Sequence, residues 1–238
     1  MGGRTAKTLT PVRAHEPLLY YILRGLEQVD VTDLLVVTGF DAASVQDYVA
    51  SNWMHDATFV FNARYASWGN FHSVRVAVNQ SPGTPLLVVN SDIVVPPVVG
   101  KRVLETEGDL VLAVQRREDL DSEDMRVRLA GDRVLDIGKD LKDVHAHGEY
   151  AGVSLLRRDA ASLYAQICTD LEWAGDTSHY YEDVYRMMLE RLDVRAASVE
   201  RGEYAEVDAP RDLEAADQVI RNHAESWPPV TAAEPQPA

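Results

Sequence analysis

LLVVNSDIVV, residues 86–95, holds a run of branched apolar residues with one aspartate, Asp92, near its end, and Pro96-Pro97 breaks it off. A short valine-rich run of this kind reads as a strand buried on both faces, as in a parallel sheet covered by helices. Asp92 then stands where the strand runs out. Ligands of open α/β sheets collect at the carboxyl ends of strands, so a carboxylate there is a candidate metal or substrate ligand. The same residue also reads as a turn or capping aspartate.

Upstream of that strand the chain alternates. Leu19, Ile22, Leu23 and Leu26 follow helical spacing from Leu18, with Pro17 suited to a first turn. Residues 32–38, TDLLVVT, read as a short buried strand stopped by Gly39. A helix over 41–52, a strand over 58–62 and a helix from Phe71 through Val74 and Val78 complete the run. Strands alternating with helices predict an α/β fold with parallel pairing and right-handed crossovers.

Downstream the character changes. Residues 109–116 read as a strand, and 125–137 as a hairpin turning at Gly131-Asp132. A strand over 149–156 precedes a helix over 159–167 with Asp159 as its N-cap. A helix over 181–192, a strand over 194–199 and a last helix over 210–224 follow. The first seventeen residues read as loop, and the proline-rich PPVTAAEPQPA after Trp227 as disordered.

At 238 residues and 46% apolar content the chain has ample material for a core. With 23 basic and 38 acidic residues its net charge is −15, which argues against non-specific binding to nucleic acid or to an anionic membrane surface. Cys168 is the only cysteine, so no internal disulfide forms, and a reducing cytoplasm is the expected location. No apolar run approaches the roughly 18 residues of a membrane span.

The order of motifs resembles nucleotidyltransferases that join a nucleoside triphosphate to a phosphorylated small molecule, and within them the phosphocholine cytidylyltransferase branch. Lys7 in AKTLTPV occupies the place of that family's Pro-Lys lysine, with Ala6 where the proline stands. NARYASWGNFHS carries Asn62, Tyr65, Trp68, Gly69, Asn70 and Ser73 in the order of the branch's Asn-x-x-aromatic, aromatic-Gly-Asn and helix-opening serine. Asp92 matches a magnesium-holding aspartate, and Asp208 in EVDAPRDL its counterpart near the end of the domain.

The resemblance implies a Rossmann-like three-layer α/β sandwich, with a mostly parallel mixed sheet, as one nucleotidyltransferase domain over residues 1–224. It implies Mg2+ on Asp92 and Asp208, carboxylates suiting a hard cation that also takes phosphate oxygens. Lys7 would act with them in catalysis. Gly2, Gly3, Arg4, Asn62, Gly69, Asn70 and Ser73 would bind the nucleotide, and Tyr65, Trp68, Lys139, Glu149, Tyr181 and Glu182 the acceptor. The expected activity is transfer of CMP from CTP to a phosphocholine-like phosphate or phosphonate, releasing pyrophosphate. The alternatives are a sugar- or cyclitol-1-phosphate nucleotidyltransferase and a non-catalytic nucleotide sensor or partner subunit. A homodimer is compatible with either. The family pattern opens with a strand running into Leu-Ala-Ala-Gly-x-Gly-x-Arg, whereas this sequence opens at MGGR. Met1 is therefore expected to match an internal methionine of that pattern. Loss of the strand would leave its neighbours in the sheet unpaired.

Overall fold

The computed structural model describes residues 5–142 and 145–227. Gly2, Gly3, Arg4 and the proline-rich segment 228–238 lie outside them. Pro17 precedes α1 (Leu18–Glu27); β1 (Leu34–Thr38) leads to α2 (Ala42–Asn52), and β2 (Ala57–Phe61) to α3 (Phe71–Gln80). Then come β3 (Leu86–Val89), β4 (Ile93–Val94), α4 (Pro97–Glu105) and β5 (Leu110–Gln115). The hairpin β6 (Arg126–Ala130) and β7 (Arg133–Ile137) turns at Gly131, whose φ is 64°. The chain continues through β8 (Gly148–Leu156), α5 (Arg158–Ala174), α6 (Tyr181–Met188), β9 (Val194–Val199), β10 (Ala205–Glu206) and α7 (Leu213–Asn222).

Six strands form a mixed sheet in the order β3-β8-β5-β9-β7-β6. β3 and β5 both pair antiparallel with β8, and β9 pairs parallel with β5, so β3, β5 and β9 run one way with β8 inserted against them. Alternation along β5 divides the core. Leu110, Leu112 and Val114 face the cluster built with α3, α5 and α6, while Val111 and Ala113 face Val99 and Val103 of α4. Helices thus cover both sheet faces, giving three layers. Among the described residues no helix is long and apolar enough to cross a membrane.

LLVVNSDIVV is not one strand. It ends as β3 at Val89, turns through Asn90–Asp92, and resumes as β4, which pairs antiparallel with β10 in a separate two-stranded sheet. Nor is β3 buried on both faces or paired in parallel: its four residues are half-buried and its partner β8 is antiparallel. Pro96-Pro97 is a start as well as a stop, with Pro97 in the first turn of α4, where a missing N–H costs nothing. Asp159 lies inside the first turn of α5 and not at its N-cap, which is Arg157. That helix runs on to Ala174 and ends at Gly175 in the left-handed region.

β1 and β2 form a parallel pair outside the large sheet. Among the described residues β1 pairs only with β2, and β3 only with β8, so each strand carries one edge without a ladder partner. Leu34 and Val36 of β1 nevertheless pack into the same apolar cluster as Leu87 and Val89 of β3, together with buried residues of α1 and α2.

Candidate active site

Three chain segments meet at Asp92. The first is the single helical turn Lys7–Leu9, held from behind: Ala6 N–H donates to Asp41 Oδ2 at 2.9 Å, and Ser44 Oγ–H to Asp41 Oδ1 at 2.6 Å. Asp41 adopts a left-handed backbone (φ 52°) to reach both, and these hydrogen bonds hold its carboxyl below the usual range. The second is the Asn90–Asp92 turn that breaks β3 from β4. The third follows β10, whose pairing with β4 sets Glu206 opposite Ile93; Val207 N–H then donates to Asp92 O at 2.8 Å. Asp212 fixes Asp208 from the other side, accepting from the amides of Asp208 and Ala209 at 2.9 and 2.7 Å.

The structure therefore brings Lys7, Asp92 and Asp208 together. Lys7 Nζ lies 2.9 Å from Asp92 Oδ2 and 2.6 Å from Asp208 Oδ1. Burial pulls the ammonium pKa down, but the hydrogen bonds to Asp208 and Asp92 and the charges of both carboxylates together outweigh it, and the net shift is upward. Carboxylate oxygens of Asp92, Glu206 and Asp208 all lie within 4.8 Å of one another. This all-oxygen, multiply charged donor set fits a hard divalent cation such as Mg2+. Sequence reasoning missed Glu206. The signal was present, since Glu206 and Asp208 are two apart in an extended segment and so share a face.

Desolvation and repulsion from Asp92 and Asp208 push the Glu206 carboxyl up to about 7 against the pull of Lys7. Tyr204 OH lies 3.3 Å from both Glu206 Oε2 and Glu149 Oε1, linking this cluster to a second carboxylate. Glu149 is buried on β8 and ion-paired with Arg117 at 2.9 Å. Burial wins over that pairing and raises it to about 8.

Of the residues assigned to the nucleotide, the described ones, Asn62, Gly69, Asn70 and Ser73, form one internally bonded unit. Asn62, 2% exposed, donates from Nδ2 to Ser73 Oγ at 2.9 Å and accepts at Oδ1 from Arg64 N–H at 2.8 Å, with His72 Nδ1 at 2.9 Å. Asn70 Oδ1 accepts Tyr181 N–H at 2.8 Å, and Gly69 N–H donates to Thr177 O at 2.8 Å. A Cβ at Gly69 would fall 1.9 Å from His179 O, so only glycine permits this approach. Trp68 is half-buried and lies parallel to Phe71 with Arg64 over its face, whereas Tyr65 is exposed against Phe61.

Of the residues assigned to the acceptor, Tyr181, Glu182 and Lys139 gather at the start of α6, whereas Tyr65 lies apart against Phe61 and Glu149 on β8 with Arg117. Tyr181 OH donates toward Asn90 Oδ1 at 2.7 Å, two residues from Asp92, and meets Tyr150 OH at 3.1 Å. Glu182 follows, 5% exposed, with Oε2 lacking any hydrogen-bond partner. Burial pushes its carboxyl up to about 7, and Asp183 and Glu206 add to the shift. Lys139 Nζ lies over the Tyr180 ring, 5.3 Å from its centroid, and 3.4 Å from Glu123 Oε2.

Residues 1–166 match the family described as the MobA-like NTP transferase domain. No curated protein sequence matches the chain. Among solved structures, the inositol-1-phosphate CTP transferase from T. maritima superposes with a TM-score of 0.76 at 18% identity, over 92% of this chain and 89% of that one. The CTP:phosphocholine cytidylyltransferase from Streptococcus pneumoniae gives 0.73 at 20%, over 91% and 90%. A UDP-glucose pyrophosphorylase complexed with UDP-glucose gives 0.71 at 14%, over 91% and 90%. At these identities the likeness is one of fold.

Proposed function

Because the chain belongs to the MobA-like NTP transferase family and is a nucleotidyltransferase, we propose that it transfers CMP from CTP to a small phosphate or phosphonate acceptor bearing a cationic group, releasing pyrophosphate. The observation that carries this reading is the convergence of Lys7, Asp92 and Asp208, drawn from three distant parts of the chain to one point.

The chemistry asks little of the protein covalently. An anionic acceptor oxygen forms a bond to the α-phosphorus of the triphosphate, and the bond from that phosphorus to the bridging oxygen breaks, so that pyrophosphate leaves with its electron pair. No proton needs removal. Catalysis is then positioning and charge neutralisation. Asp92 and Asp208, with Glu206 beside them, would hold Mg2+, which when bound supplies positive charge against the phosphate oxygens. Lys7 brings a second positive charge from a fixed turn, and the 62–73 unit offers the start of α3 and aromatic faces to the nucleotide.

Glu182 supports the cationic acceptor. Its carboxylate is buried without a hydrogen-bond partner at Oε2, beside tyrosine rings, and an alkylammonium would supply the missing countercharge. A sugar or cyclitol phosphate would offer Oε2 a hydroxyl donor but no countercharge. The fold likeness to the phosphocholine enzyme agrees with this reading. A pyrophosphate-release screen pairing each nucleoside triphosphate with phosphocholine, 2-aminoethylphosphonate, inositol-1-phosphate and glucose-1-phosphate tests it. Turnover confined to CTP with the aminoalkyl acceptors is expected; turnover confined to a sugar phosphate overturns it.

A further inference from the structure

Two cations have claims on one seat. The oxygens of Asp92 and Asp208 on which a divalent cation would rest already accept hydrogen bonds from Lys7 Nζ, at 2.9 and 2.6 Å. An ammonium so placed does for the protein what the ion would do: it keeps carboxylates from distant parts of the chain from repelling each other. Positive charges this close cannot share the pair without strong repulsion. The lysine side chain is about one-third exposed and rides on four rotatable carbons, while the backbone beneath it is fixed by Asp41. The ammonium can therefore swing without disturbing the turn.

We propose that Lys7 is the resident counter-ion of the Asp92–Asp208 pair, and that it leaves this seat when a divalent cation enters, becoming free to engage the triphosphate. The inference rests on the reading of these aspartates as metal ligands. Displacing Lys7 opposes entry of a free cation, whereas a bound triphosphate gives the displaced ammonium a new partner. Cation and nucleotide then favour each other's binding through one side chain, and by linkage the favour is mutual.

The test needs neither nucleotide nor turnover. Mn2+ binding to the full chain, followed by electron paramagnetic resonance, is compared between wild type and Lys7→Met, which keeps the length of the side chain and removes its charge. The variant should bind about tenfold more tightly or better, within the usual range of site coupling. Equal or weaker binding overturns the exchange. A second measurement uses wild-type protein alone. Reductive methylation read by mass spectrometry should label Lys7 severalfold faster in Mg2+ than in its absence, relative to the exposed Lys101. Labelling that is unchanged or slower overturns it as well. If neither protein binds Mn2+, the metal-site reading falls together with the exchange; if both bind equally, only the exchange falls.

Discussion

Asp92 and Asp208 carry similar charge but are held differently, and the difference sets what each substitution does. Asp92 sits in a turn whose own carbonyl accepts Val207 N–H, so changing the side chain leaves that tie intact. Asp92→Asn should lower turnover by about a thousandfold, equivalent to roughly 4 kcal/mol at the transition state. Its thermal unfolding midpoint should stay close to wild type, and normal kcat in the variant would remove Asp92 from the mechanism. Glu149 gives a pH prediction. Its folded pKa of about 8 exceeds the ordinary 4.5, so between those values the folded state holds more protons than the unfolded state, and stability falls as pH rises through the window. Glu149→Gln should flatten that slope, stabilising the protein relative to wild type more at about pH 9 than at about pH 5 in denaturant titrations. Parallel curves for the two proteins would refute it. At this scale the sequence was most readable where a residue type is demanded by a motif, as with Lys7, Asp92 and Asp208. Glu206 had only the weak signal of its i, i+2 spacing from Asp208, and Tyr204 and Asp41 had none in their local sequence; the β4–β10 pairing and the left-handed turn at Asp41 bring them in.

Elements near the site are fastened to one another by few, specific contacts. Gly69 lets the loop before α3 lie against the 177–179 backbone leading to α6, and Tyr164 of α5 donates to Phe71 O at 2.9 Å inside the core. Gly69→Ala forces that approach apart and should cost about 1–3 kcal/mol of stability, in line with overpacking of a tight contact. It should also weaken nucleotide and acceptor binding together, because both groups of residues meet at this joint; calorimetry showing one affected alone would argue against the shared joint. Tyr164→Phe leaves a buried carbonyl with one partner fewer and should cost about 1 kcal/mol with binding unchanged. Helix positions were legible from apolar spacing, as α1, α2 and α3 show. α4 was not, because Pro96-Pro97 reads equally as an end or a beginning, and two-residue strands such as β4 and β10 leave no periodicity to detect.

Across the whole molecule, alternation of strands and helices was enough to predict α/β layering but not the strand order. β8 lies between β3 and β5, although more than thirty residues of chain separate it from β5, and it runs against both. No local pattern announces such a long-range insertion; its uniformly buried residues could equally be those of a parallel strand.

The edge of β3 without a ladder partner also has a signature in time. Asn90 N–H donates to Gly152 O, so by the alternation of an antiparallel ladder the amides of Leu86 and Val88 point toward β8. Those of Leu87 and Val89 point the other way. In deuterated solvent Val88 should keep its proton far longer than the residues on either side of it, a sawtooth of protection within one short strand. Any polypeptide that laid its backbone along this edge would erase the sawtooth at Leu87 and Val89 first, so these two amides are built-in reporters of strand addition to the sheet.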